Sequence, residues 1–193
     1  MLKKKLLLPV VSILFVVLLS PSLAIAGTPR LNANAKIALA AWHQAGDQWL
    51  VAYVSELRVV LPGLAEPITE MALRIYLVRW DGTWGSPATV LNFWRADLSP
   101  DEFVWNLATP RVTAEVEAAP GVTVIITVEW ETLAPTTVGR DVVLPVITGF
   151  VSFNQAAWRF GTATLTEVEP DGSVDIDEGG LAMVAQGVIN LEL

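Results

Sequence analysis

From Arg111 to Glu131 the chain alternates apolar and polar residues in two runs, with Pro120-Gly121 between them. In the first run Val112, Ala114, Val116 and Ala118 share one face, and Arg111, Thr113, Glu115 and Glu117 share the other. In the second, Val122, Val124, Ile126, Val128 and Trp130 oppose Thr123, Ile125, Thr127, Glu129 and Glu131. A period of two with one charged face marks a half-buried strand. A joint as short as Pro-Gly requires the two strands to be antiparallel.

The rest of the chain repeats this kind of signal. Met71–Trp80 is rich in β-branched and aromatic residues, meets Asp81-Gly82, and is followed by a second apolar run over Ala88–Trp94. Asp-Gly tolerates positive φ, so a hairpin is predicted there. A two-residue turn would put Trp80 in the ladder opposite Thr83, whereas a three-residue loop with Gly82 left-handed would put Trp80 at the rim. Ala35–His43 and Gln48–Leu61 read as two strands around Gln44-Ala45-Gly46-Asp47, with Trp42 and Trp49 placed to face each other. Ser99-Pro100-Asp101-Glu102 has the form of a capping box, sufficient for one helical turn before Phe103. Val142–Thr148, interrupted by Pro145, reads as an edge strand. Gly149–Phe160 and Thr162–Val168 read as strands, or as one long strand bent at Gly161. A short Val174–Ile176 segment and a terminal Leu181–Leu193 strand complete the chain. The pattern predicts an all-β, single-domain antiparallel β-sandwich of about ten or eleven short strands over residues 35–193, with a closed β-barrel as the alternative.

Residues 1–26 read differently. A head with three lysines, an apolar run over Leu6–Leu19 and the small residues Ala24-Ile25-Ala26 before Gly27 have the three parts of a secretory signal peptide. The apolar run falls short of the ~20 residues of a membrane-spanning helix. Cleavage after Ala26 is therefore expected, with residues 27–34 a polar lead-in and no stable membrane span afterwards. The expected location is secreted or extracellular, or the bacterial periplasm or cell surface. Cleavage would leave 167 of the 193 residues, with nine basic side chains against 20 acidic ones, a net charge of −11. So acidic a chain repels phosphate backbones, and nucleic acid is not an expected partner. The chain contains no cysteine, which removes disulfides, thiol catalysis and cysteine-based metal sites, and leaves stability to the apolar core.

Candidate sites are few. His43 is the single histidine, so a multi-imidazole metal site cannot form within one chain, and a serine triad would have to use His43, with no Gly-x-Ser-x-Gly elbow to accompany it. Glu129/Glu131 and Glu115/Glu117 are carboxylate pairs two apart on strands, ~6.6–6.8 Å along the backbone. That spacing is compatible with glycoside hydrolysis, but a solvated strand face has the same pattern. Glu167, Glu169, Asp171, Asp175, Asp177 and Glu178 form an acidic segment without a basic residue. Within it Asp171, Asp175, Asp177 and Glu178 are the candidate ligands for Ca²⁺, the one cofactor the sequence suggests. The spacing departs from an EF-hand, with Gly179 and Gln186 where ligands would stand, and a solvated turn explains the charges equally. Eight tryptophans are many for this length. Their flat faces suit either a core or a sugar-stacking surface. Trp42, Trp49, Trp80 and Trp84, which flank two predicted turns, are the candidates for ligand binding.

The leading functional expectation is a secreted, non-enzymatic β-sandwich with a structural or surface-interaction role, its partner an extracellular protein or polysaccharide. The alternative is a carbohydrate-binding module using exposed tryptophans. A carboxylate-pair glycoside hydrolase is third.

Overall fold

A computed structural model describes residues 30–61, 65–131, 134–146 and 149–192. The signal peptide expected over residues 1–26 lies outside them. The described residues form ten strands: β1 (Arg30–His43), β2 (Gln48–Val59), β3 (Ile68–Arg79), β4 (Thr89–Asp97), β5 (Phe103–Val104), β6 (Arg111–Ala119), β7 (Val122–Glu131), β8 (Thr137–Val146), β9 (Gly149–Val168) and β10 (Val174–Glu192). No described residue is helical, so among the described residues no helix is long and apolar enough to cross a membrane.

The expectation of an all-β antiparallel fold holds. Its arrangement is neither two separate stacked sheets nor a closed barrel. One ladder joins every strand in the order β4-β3-β2-β1-β10-β9-β7-β6-β5, and β8 pairs with β9 beside this path. The sheet forks at β9. Thr162–Val168 pairs with β7, whereas Gly149–Trp158 pairs with β8.

Two cores result, one on each face of the central strands. The first gathers Ala38, Ala40 and Trp42 of β1 with Val54, Leu73, Ile75, Val112, Val128, Trp130 and Val184. Because β3 and β6 both contribute, the sheet curls back on itself around this core. The two ends meet without laddering, and the Trp94 indole N–H donates to Ala118 O at 3.0 Å across the seam. The second core gathers Ala33, Ala35, Ile37, Leu39 and Ala41 from the other face of β1 with Val51, Val78, Trp80, Leu144, Phe153 and Met183. Here β8, the first half of β9 and the β3–β4 loop supply the cover.

Local sequence explains each part. The β6–β7 hairpin follows the predicted alternation, with Val112, Ala114, Val116, Val124, Ile126, Val128 and Trp130 buried and Glu115, Glu117, Glu129 and Glu131 exposed. Ala119 pairs with Val122 across Pro120-Gly121, where Gly121 has φ of 76°. The capping box forms as a turn: Ser99 N–H and hydroxyl both donate to Glu102 Oε2, and β5 follows at once. Residues 149–168 are one strand, as are 174–192, the latter with an irregularity between Asp177 and Gly180. Residues 30–34 of the expected lead-in belong to β1, since Ala33 is buried and pairs with Ile189.

Two glycines in β10 mark close approaches that no hairpin rule requires. The Trp42 ring lies directly on Gly180, its N–H donating to Ala163 O at 3.1 Å. A methyl group at Gly187 would collide with the backbone oxygen of Gln155. Overpacking of this kind costs ~1–3 kcal/mol, and a backbone neighbour cannot swing aside. Gly187→Ala should therefore lower stability by more than about 2 kcal/mol in urea unfolding. Gly172→Ala, at a left-handed turn with open space around it, should lose only about 1 kcal/mol. Equal losses would contradict this packing.

Candidate functional site

The predicted ligand residues separate into two groups. His43 pairs with Trp49 and Trp42 with Leu50, so Trp42 and Trp49 point to opposite faces instead of facing each other. A one-residue difference in register is enough to reverse a side chain. Trp42 is 3% exposed in the first core. Trp49, Trp80 and Trp84 come together on the second face. Trp49 and Trp80 ring centroids are 5.2 Å apart and Trp80 and Trp84 5.3 Å, both edge-to-face. His43 extends the series, its ring 5.1 Å from Trp49, and its Nε2–H donates to Gly46 O at 2.9 Å.

The β3–β4 connection differs from both predicted turns. Arg79 pairs with Thr89, so the link spans residues 80–88. Trp80 is neither in the ladder nor at the rim. It turns inward, 3% exposed, and its indole N–H donates to Thr83 O at 3.0 Å and Ser86 Oγ at 2.9 Å. Asp81 closes the loop from outside: its Oδ1 accepts Thr83 N–H at 2.8 Å and the Ser86 hydroxyl. Gly82 and Gly85 have φ of 80° and 85°, and both lie flush against aromatic rings. A methyl at Gly82 would stand 2.9 Å from the Trp49 ring, and one at Gly85 3.1 Å from the Phe150 ring.

The loop is thus clamped between a buried tryptophan and an external carboxylate. Trp49 and Trp84 flank Trp80 and are half-buried. Phe150, 58% exposed, continues the aromatic surface past Gly85. Thr83 and Asp81 are exposed beside it, as is the Arg79–Asp47 ion pair at 3.0 Å. The surface combines ring faces with hydroxyl, carboxylate and guanidinium groups. Phe150, Pro145 and the Asp81–Ser86 clamp were missed from sequence, because Phe150 and Pro145 reach Gly85, and Asp81 reaches Ser86, only through the folded loop and the β8–β9 pairing.

The acidic segment has a different character. Asp171 is used by its own turn, accepting Ser173 N–H at 2.9 Å and the Ser173 hydroxyl at 2.7 Å, which hold its carboxyl below the usual aspartate range. Asp177 Oδ2 accepts the Gln44 amide at 3.3 Å. Asp175 and Glu178 are exposed. Among the described residues no group of three or more such side chains is arranged to hold a metal ion. The strand glutamates lie on the exposed face of β6 and β7, Glu129 with Arg111 at 3.4 Å.

A buried cation was not foreseen. Arg74 is 3% exposed on β3, its guanidinium donating to Ser55 Oγ at 2.9 Å and Glu70 Oε1 at 3.3 Å. Burial pushes the neighbouring Tyr53 hydroxyl up to about 12, against the opposing pull of Arg74.

No protein-family model, no curated protein and no solved structure matches the chain.

Two pH dependences follow. The Ser86 hydroxyl and then the Thr83 N–H hold the Asp81 carboxyl below its ordinary value. Its contribution to loop order is present above the unfolded pKa and lost as pH falls through the lower, folded one. Near-ultraviolet circular dichroism of the tryptophan cluster should persist on acidification until below the ordinary aspartate range, and Asp81→Asn should weaken it already at neutral pH. A wild-type loss centred at or above the ordinary range would contradict the clamp. Glu167 is raised, first by burial and then by Glu169, Asp175 and Asp177. A raised carboxyl lowers stability as pH climbs through its window, so Glu167→Gln should raise Tm near pH 7 and leave it unchanged near about pH 4. A Tm gain at both pH values would remove this cause.

Proposed function

We propose that the chain is a secreted, non-enzymatic β-protein that binds an extracellular polysaccharide through Trp49 and Trp84. The observation that supports this most is the convergence of these two half-exposed rings on one clamped loop, with Trp80 behind them. Sugar rings present flat C–H faces that stack on indoles, and their hydroxyls pair with polar groups at the margin. Thr83, Asp81, Asp47 and Arg79 provide such a margin. A loop held by internal hydrogen bonds loses little conformational entropy on binding, which favours affinity at a small surface. Phe150 beyond Gly85 lengthens the surface toward a chain-like ligand rather than a single sugar. Trp42 is on the opposite face and takes no part.

The test is a titration of intrinsic fluorescence with soluble neutral polysaccharides, hydroxyethylcellulose and galactomannan among them. Binding should shift the emission. Trp84→Ala should weaken it at least tenfold, about 1.4 kcal/mol, with the far-ultraviolet circular dichroism unchanged. Trp42→Phe should leave it as it was. An emission that no polysaccharide changes, or an affinity indifferent to Trp84→Ala, would end this assignment.

A further inference from the structure

The face of the sheet that carries the first core does not end with that core. Trp105 closes its lower margin, donating from Nε1 to Gln186 Oε1 at 2.8 Å, and Lys36 Nζ lies 6.0 Å from the Trp105 ring. Lys36 is also paired with Glu56 at 2.7 Å, which neutralises that carboxylate. Past this line the same face presents polar side chains around an open cleft of about 450 Å³, lined by Asn34, Lys36, Arg58, Gln155, Gln186 and Val138. This is within the ~300–1,000 Å³ of small-molecule sites. Asn34 pairs with both Arg58 and Val188, and Gln155 with Val188, so these side chains share one side of the ladder.

The composition of the cleft runs against that of the chain. The chain carries a net charge of −8, yet with Lys36 balanced by Glu56 the cleft still keeps Arg58, and Arg140 stands on the same side opposite Gln155. Arg58 and Arg140 are exposed. A guanidinium offers a planar fork that matches a carboxylate. Asn34, Gln155 and Gln186 each bring a donor and an acceptor, the pairing that vicinal hydroxyls require. A cleft with cations alone would suit any anion, and one with amides alone would suit a neutral sugar. Their combination selects a ligand with both groups.

We propose that this cleft binds an acidic saccharide of the uronic-acid type, its carboxylate on Arg58 and its hydroxyls on Asn34, Gln155 and Gln186. It lies on the opposite face from Trp49 and Trp84 and does not depend on them. Isothermal titration of the purified protein with trigalacturonic acid tests it, with maltotriose and inorganic phosphate as comparison ligands. Trigalacturonic acid should bind, at least tenfold more tightly than either comparison ligand. Arg58→Ala and Gln155→Ala, both at exposed positions, should each weaken it at least tenfold, whereas Trp84→Ala should not change it. Absence of heat with trigalacturonic acid would overturn the proposal. Equal affinity for maltotriose, equal affinity for phosphate, or an affinity unchanged in Arg58→Ala would overturn it too. Loss of binding in Trp84→Ala would move the saccharide to the aromatic surface and remove the cleft from consideration.

Discussion

Burial of β1 and β10 on both faces is the constraint from which the rest of the structure follows. Ala38 and Ala40 are wholly buried on one side of β1, and Ile37, Leu39 and Ala41 almost wholly on the other. Ala182 and Val184 of β10 go to the first core, and Met183 and Ala185 to the second. A strand pair with two dry faces needs cover on both, and a single chain of this length provides it by curling one sheet in two ways. β2 through β7 wrap the first face, and β8 with the first half of β9 crosses the second. Alanine is frequent along β1 because larger side chains would hold the two covers apart. Buried apolar area contributes roughly 25 cal/mol per Å², which lets a chain without cysteine do without disulfides.

The aromatic surface is a product of that second cover. The β3–β4 loop lies on the same face as Val51 and Val78, so Trp80 is drawn inward as part of the core. With Trp80 anchored, Gly82 and Gly85 must lie flat against Trp49 and Phe150, where any side chain would push the loop away. Trp49 and Trp84 are left half-covered on either side. Folding and the shaping of this aromatic surface are therefore one event: Trp80, which fills the core, sets the loop that carries Trp84, while the β2 ladder sets Trp49.

The strands were legible wherever one face is wet. Around Pro120-Gly121 the charged residues mark the outside, and the observed burial follows them. In Ile37–Trp42 alternation is absent because both faces are dry, so sequence showed a strand but not the two cores. Val174–Ile176 and Leu181–Leu193 read as separate segments, whereas β10 runs on through Gly179-Gly180, and Gly180 is bare to admit the Trp42 ring. Trp80 had two readings, and the structure takes a third. The reason is a contact between Asp81 and Ser86 that a turn rule over adjacent residues does not include. The polar cleft was beyond reach, because Arg58, Asn34, Gln186 and Gln155 are brought side by side only by the pairing of four strands.

In the proposed function Trp49 and Trp84 form the preorganised binding surface while their neighbours serve the core. Indole N–H resonances of ¹⁵N-labelled protein report each tryptophan separately. On addition of a bound polysaccharide the Trp49 and Trp84 resonances should shift, while Trp42, Trp80 and Trp130 stay in place and exchange slowly with deuterium. Shifts confined to other tryptophans, or rapid exchange of the Trp80 indole proton before ligand is added, would contradict the account.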